Sequence, residues 1–152
     1  MCDTLQTIII VDDDDDDKGL IKFAFSKTCK HLDLILLSDG AELLQYLEDR
    51  KTRDPCLILL DLNMPRVSGI EALQRIRSDN RFTNIPIIVF TTTDEDTAVM
   101  KSYCSGATSF IQKPENLHSL LWIINQIAIY WCEVVKLPCR IGCNDLDYQR
   151  AA

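Results

Sequence analysis

Glycine is scarce and scattered in this chain. Gly19, Gly40, Gly69, Gly106 and Gly142 lie too far apart to build a loop that cradles phosphate, which excludes a P-loop and a glycine-rich dinucleotide fingerprint. No CxxC pair occurs among the seven cysteines, Cys2, Cys29, Cys56, Cys104, Cys132, Cys139 and Cys143, and their number is odd, so reduced thiols are expected and not a disulfide frame. Cys132, Cys139 and Cys143 fall close together, but histidine is scarce too. His31 and His118 are distant in sequence, so a zinc site lacks its fourth ligand and these thiols read as apolar fillers and exposed groups. Basic residues are outnumbered 16 to 23, a net charge of -7, which argues against nucleic acid as a partner. The most apolar late stretch, Leu117 to Leu137, is broken by His118, Asn125, Gln126, Glu133 and Lys136, the pattern of a packed helix and not of a membrane span. No charged-then-apolar leader opens the chain, and a cytoplasmic protein is expected.

With 152 residues and 47% hydrophobic composition, the chain can bury one core and is too short for two ordinary domains. Apolar runs of strand length recur at 7–11, 33–37, 56–60, 86–91 and 108–112, each followed by a longer stretch with helical spacing. Leu43, Leu44 and Leu47 form one helical face, Ile70, Leu73, Ile76 and Arg77 another, with Asp39-Gly40 and Ser68-Gly69 as the turns before them. Strands apolar throughout are buried on both faces. The expectation is an α/β fold, a doubly wound five-stranded parallel sheet between helical layers, with its crevice outside the carboxyl ends of the strands.

The polar residues collect at those ends. Asp12 and Asp13 follow the first run, Asp61 ends the third, Thr91-Thr92-Thr93 closes the fourth and Lys113-Pro114 the fifth. A carboxylate such as Asp61 can accept a phosphoryl group when a divalent cation screens its oxygens and a cation or hydroxyl meets the transferring group. Asp12, Asp13 and Asp61 offer the oxygen ligands Mg2+ prefers, while Lys113 and Thr91 can meet phosphoryl oxygens. Pro114 reads as fixing the lysine backbone in a turn, a cis bond being one way to do so. Asp14 to Asp17 read as the turn and first helical turn before a helix beginning near Lys18, where acceptors and negative charge are favoured. A calcium loop of the EF-hand type fails, since no Glu stands at its twelfth position from Asp12, Asp13 or Asp14. A phosphatase with an Asp nucleophile needs a second acid two residues on, and Asn63 cannot transfer a proton.

This ordered set, Asp12-Asp13, Asp61 with Met64-Pro65 and Gly69, Thr91 and Lys113-Pro114, resembles the receiver domain of two-component response regulators over about residues 5 to 130. The resemblance implies the flavodoxin-like strand order 2-1-3-4-5. It implies phosphorylation of Asp61 by a histidine kinase or histidine phosphotransfer protein. The metal would be Mg2+, bound by Asp13, Asp61 and the Asn63 carbonyl, with Asp12 acting mostly through water. It further implies a switch in which Thr91 moves toward the phosphoryl group and an aromatic residue turns in behind it. Phe110 stands there, without the hydroxyl a Tyr would offer. Asn63 and Thr93 match the positions that tune phosphoryl lifetime. A receiver over residues 5–133 with a tail at 134–152 and no separate output domain would signal to a downstream protein partner. Such a module is a phosphoacceptor that assists its own phosphorylation and dephosphorylation, and not an enzyme in the ordinary sense.

The Asn80 to Pro86 lead, Thr91-Thr92 and the Tyr130-Trp131 to Pro138 stretch are similar to single-domain receivers paired with phytochrome-type or hybrid kinases. In that subgroup the last helix supports dimers. The stripe Leu120, Ile123, Ile124, Ile127 and Trp131 serves equally to form a homodimer or to pack on the domain's own sheet. A reading from a different class is a receiver-shaped interaction module that works without phosphorylation.

Overall fold

The computed structural model describes residues 6–49, 51–52 and 54–137. Five strands, β1 (Gln6–Val11), β2 (Leu32–Leu37), β3 (Leu57–Leu60), β4 (Ile87–Thr91) and β5 (Ser109–Gln112), alternate with five helices, α1 (Asp15–Thr28), α2 (Gly40–Glu48), α3 (Gly69–Arg77), α4 (Asp96–Cys104) and α5 (Leu117–Ile129). Every strand begins within a residue of its apolar run. All pairings are parallel, and the order is β2-β1-β3-β4-β5.

The period of two along each strand divides one sheet between two cores. Ile9, Val11, Ile58, Leu60, Ile87 and Val89 face one way and bury Leu43 and Leu47 of α2 with Ala72, Leu73 and Ile76 of α3. Their neighbours Ile8, Ile10, Leu57, Leu59, Ile88 and Phe90 face the other way, against Ile21, Ala24 and Phe25 of α1 and Leu120, Ile124, Ile127 and Ala128 of α5. Because β1, β3 and β4 have helices on both faces, they need no polar side, which is why their sequences are apolar throughout.

Side-chain caps set where helices start. Asp14 accepts from the amides of Asp16 and Asp17, so α1 begins at Asp15 and not near Lys18 as the sequence suggested. Asp39, Ser68 and Asn116 cap α2, α3 and α5 in the same manner. Helix α4 has no side-chain cap, and Ser102 is its one buried residue. It buries the fewest residues of the five. Of the α5 stripe, Leu120, Ile124 and Ile127 are taken up by the sheet, while Ile123 and Trp131 are half-buried beside them. The large apolar residues left exposed on this element are Leu117, Trp122, Tyr130 and Val134. A π-type turn, Tyr130–Val134, carries the helical path across the expected boundary at 133, and the rest of the expected tail beyond Leu137 lies outside the described residues, as do Cys2, Cys139 and Cys143. No described helix is long and apolar enough to cross a membrane.

Candidate functional site

The hydrogen-bond ladder extends one residue past the strands, and that residue carries the chemistry. The Asp12 amide donates to Leu37 O at 3.0 Å, the Asp61 amide to Val11 O at 2.9 Å and the Lys113 amide to Thr91 O at 2.7 Å. Each backbone keeps the rigidity of the sheet while its side chain enters the crevice. Thr91 is the last residue of β4, in register with Gln112.

Asp12, Asp13 and Asp61 each bring one carboxylate oxygen within 4.8 Å of the other two. Asp12 and Asp61 are buried and Asp13 is exposed. Asp61 Oδ1 accepts from the Leu62 amide at 2.8 Å, and Oδ2 is left 3.7 Å from Lys113 Nζ. Asp12 Oδ1 accepts from the Asp14 amide at 3.0 Å, while its Oδ2 bonds directly to the Lys113 ammonium. That ammonium also donates to Asp17 Oδ2 at 2.9 Å and stands over the Phe90 ring, 5.9 Å from its centroid. Burial raises the Asp12 carboxyl above the ordinary 3.8, against the pull of Lys113. Burial acts to lower the Lys113 ammonium, but its bonds to Asp12 and Asp17 outweigh it and hold lysine above its ordinary range. Three carboxylates around one ammonium, with Asp13 beside two of them, leave a surplus of negative charge, and an all-oxygen donor set on that surplus fits a hard divalent cation.

Thr91 is fully buried, and its Oγ1 has no hydrogen-bond partner among the described residues. Such an orphan costs about 1–3 kcal/mol. A ligand atom arriving in the crevice would relieve it. On the rim, Asn63 Nδ2 donates to Thr93 Oγ1 at 3.1 Å, so the two positions expected to tune lifetime touch each other. Phe110 is half-buried, in register with Val89, and its amide donates to the hydroxyl of Tyr103 on α4 at 3.1 Å. The loop carrying Asp61 is held from below by Gly69. A Cβ there would lie 2.2 Å from Asp61 O and 2.8 Å from Leu62 Cα, so the start of α3 packs directly on this backbone.

The structure thus brings Asp12, Asp13, Asp61 and Lys113 together, with Thr91 closing β4 and Asn63 and Phe110 at its margins. Two features depart from the sequence reading. Asp17 is more than a helix-start residue, because it binds Lys113 across the crevice mouth. The signal for it was geometric: side chains on a helix lean toward its N-terminus, and the N-terminus of α1 sits at the strand ends. Also, no peptide bond among the described residues is cis, so Pro114 turns the chain in the trans form. The sequence reading missed Arg66 as well. It lies in the left-handed region at φ 63 and bonds buried Asp39, tying the loop after Asp61 to the start of α2.

Comparison with known proteins places this arrangement. The response regulator receiver domain model matches residues 8–125. Response regulator Rcp1 of Synechocystis sp. is 34% identical over 110 residues, covering 70% of this chain and 75% of Rcp1. The crystal structure of its Mn2+-bound form superposes with a TM-score of 0.83 at 31% identity, over 88% of this chain and 99% of that one. The phosphorylated cyanobacterial phytochrome response regulator RcpA gives 0.85 at 32% identity, over 89% and 99%. The CAI-1 autoinducer sensor kinase/phosphatase CqsS of Vibrio cholerae is 33% identical over 99 residues, which are 64% of this chain and 14% of that protein. Receiver domains work with histidine kinases and hold Mg2+ or Mn2+ at an acidic cluster of this type. The chain belongs to the response regulator receiver domain family, the phosphoaccepting regulators of two-component signalling.

Proposed function

We propose that Asp61 accepts a phosphoryl group from a histidine kinase or a histidine phosphotransfer protein and that Mg2+ is the working cation. Asp12, Asp13, Asp61 and the Asn63 carbonyl would hold it, and when bound it would neutralise the oxygens of the group in transfer. The observation that carries this reading is the pairing of an anchored nucleophile with an orphaned hydroxyl. Asp61 has one oxygen fixed by the Leu62 amide and the other turned to Lys113, while buried Thr91 Oγ1 has no partner among the described residues. Asp61 oxygen attacks phosphorus, the bond from phosphorus to the donor nitrogen breaks with its electron pair going to the imidazole, and the product is an acyl phosphate. Lys113 then meets one phosphoryl oxygen and Thr91 donates to another.

Thr91 moving inward leaves space behind it that Phe110 fills, which shifts β5 against the loosely capped α4. The face of α4, β5 and α5 then presents the state to a downstream protein, or to a second copy of the chain through exposed residues such as Trp122 and Tyr130. On this reading the receiver unit runs from about residue 5 to 133.

Intact mass after incubation with a small phosphodonor and Mg2+ tests the proposal. Wild type gains one labile phosphoryl group, and neither Asp61→Asn nor metal-free wild type does. A folded, Mg2+-binding wild type that stays unmodified even with kinase would point instead to an interaction module independent of phosphorylation.

A further inference from the structure

The cation site and the ammonium compete for one carboxylate. Lys113 occupies Asp12 Oδ2 and the Asp14 amide donates to Asp12 Oδ1, so a metal approaching Oδ2 meets the ammonium. The same ammonium must also stay within reach of Asp61, 3.7 Å away. A divalent cation entering among Asp12, Asp13 and Asp61 would repel Lys113 from Asp12, leaving the ammonium to Asp17, which already accepts from it at 2.9 Å. Asp17 stands in the first turn of α1, its side chain about one-third exposed, and Lys113 is its one side-chain partner among the described residues.

We propose that Asp17 is the positioning residue that retains Lys113 when the cation binds, drawing the ammonium off Asp12 so that Asp12 can face the metal while the ammonium stays beside Asp61. This rests on the metal-dependent reading above. Asp17 then sets the affinity for the cation and has little effect on transfer once the cation saturates. Two arguments give the same sign. Removing the Asp17 charge weakens the field on a divalent ion, and it leaves Lys113 held harder by Asp12 and Asp61. Together these correspond to about three- to tenfold weaker binding at partly screened distances. The neighbouring Asp16 is exposed and separates the two arguments, because Asp16→Asn removes the same charge without touching Lys113.

The test is calorimetric titration of Mg2+ into wild type, Asp17→Asn, Asp16→Asn and Asp13→Asn, with Asp17→Asn repeated in a Lys113→Met background. Asp17→Asn is expected to bind Mg2+ about three- to tenfold more weakly and Asp16→Asn within about twofold of wild type. The Asp17 effect should largely vanish when Lys113 is Met. The Mg2+ concentration for half-maximal phosphorylation should rise by the same factor, with the saturated rate little changed. Should Asp17→Asn fail to fold, Asp17→Ser removes the same charge with a residue suited to a helix start. Wild-type affinity in Asp17→Asn, an undiminished effect in the Lys113→Met background, or a lost saturated rate at unchanged affinity would each overturn the proposal. If Asp13→Asn also binds as wild type, the acidic cluster is not the metal site and it is the underlying reading that fails.

Discussion

The two ends of this sheet are built on opposite principles. At the amino end polar groups are matched. The Arg77 guanidinium donates to the carbonyls of Gly106 and Ile85 at 2.8 Å each and to Phe82 at 3.1 Å. Thr108 Oγ1 receives the Ile87 amide at 3.0 Å, and Thr28 bonds Asn125 at 2.8 Å between α1 and α5. At the carboxyl end three carboxylates share one ammonium, a fourth, Asp13, lies beside two of them, and a buried hydroxyl has no partner among the described residues. One end stabilises the fold; the other, on the function proposed above, keeps interactions unmade until a cation and a phosphoryl group complete them. Function here is the part of the structure that is left unsatisfied, and the matched end offsets its cost.

Substitutions at the two ends should therefore fail differently. The largest loss of stability is expected for Arg77→Ala, which strips three partly buried carbonyls of their donor and costs about 3 kcal/mol. Urea unfolding should show it, while phosphorylation below the transition stays near wild type. Equal destabilisation by Asp61→Asn would break the comparison. Gly69→Ala sharpens it, because it alters the packing beneath Asp61. The added methyl meets backbone that cannot rotate away, so about 1–3 kcal/mol is expected, together with slower phosphorylation at saturating Mg2+.

Thr91→Val should do the reverse of Arg77→Ala. The substitution trades an orphaned buried hydroxyl for a methyl of similar shape, and about 1 kcal/mol of added stability is expected, read as a higher urea midpoint. The acyl phosphate would still form but would no longer shift the face of α4 and β5, which backbone NMR shifts with and without phosphodonor would report. A less stable Thr91→Val would mean that the hydroxyl is matched in solution and that the carboxyl end is not held in reserve.

Much of this division was legible in the sequence because it rests on periodicity. Apolar runs without a polar face required a doubly covered parallel sheet, and residues directly after such runs had to reach its carboxyl edge, so Asp12, Asp13, Asp61, Thr91 and Lys113 could be named beforehand. What stayed hidden depends on side-chain reach between elements. Nothing in the run from Asp12 to Asp17 distinguishes the residue that binds Lys113 from those that cap or start α1. Likewise the Asp39–Arg66 tie depends on a non-glycine residue in a left-handed conformation, which sequence pattern does not announce. The amino end was equally opaque, since Arg77 reads as the last residue of a helical face and not as a knot of carbonyl contacts.

The smallest expected effect is one of pH, and its sign comes from two shifts. The folded state holds the Lys113 ammonium above its ordinary 10.5, so its contribution to stability is complete below that value and lost as pH rises through the higher folded value. Asp12 is raised above 3.8 by burial, so the fold favours its protonated form, and its ionisation costs stability as pH climbs from 3.8 through the folded value. The stability deficit of Lys113→Met relative to wild type should therefore hold steady from neutral pH to near 10.5 and shrink beyond it. Urea midpoints across this range measure it in metal-free buffer. A deficit that instead disappears near neutral pH would mean that Lys113 is not held charged by Asp12 and Asp17, and the shortage of cations at the carboxyl end would be greater than the contacts indicate.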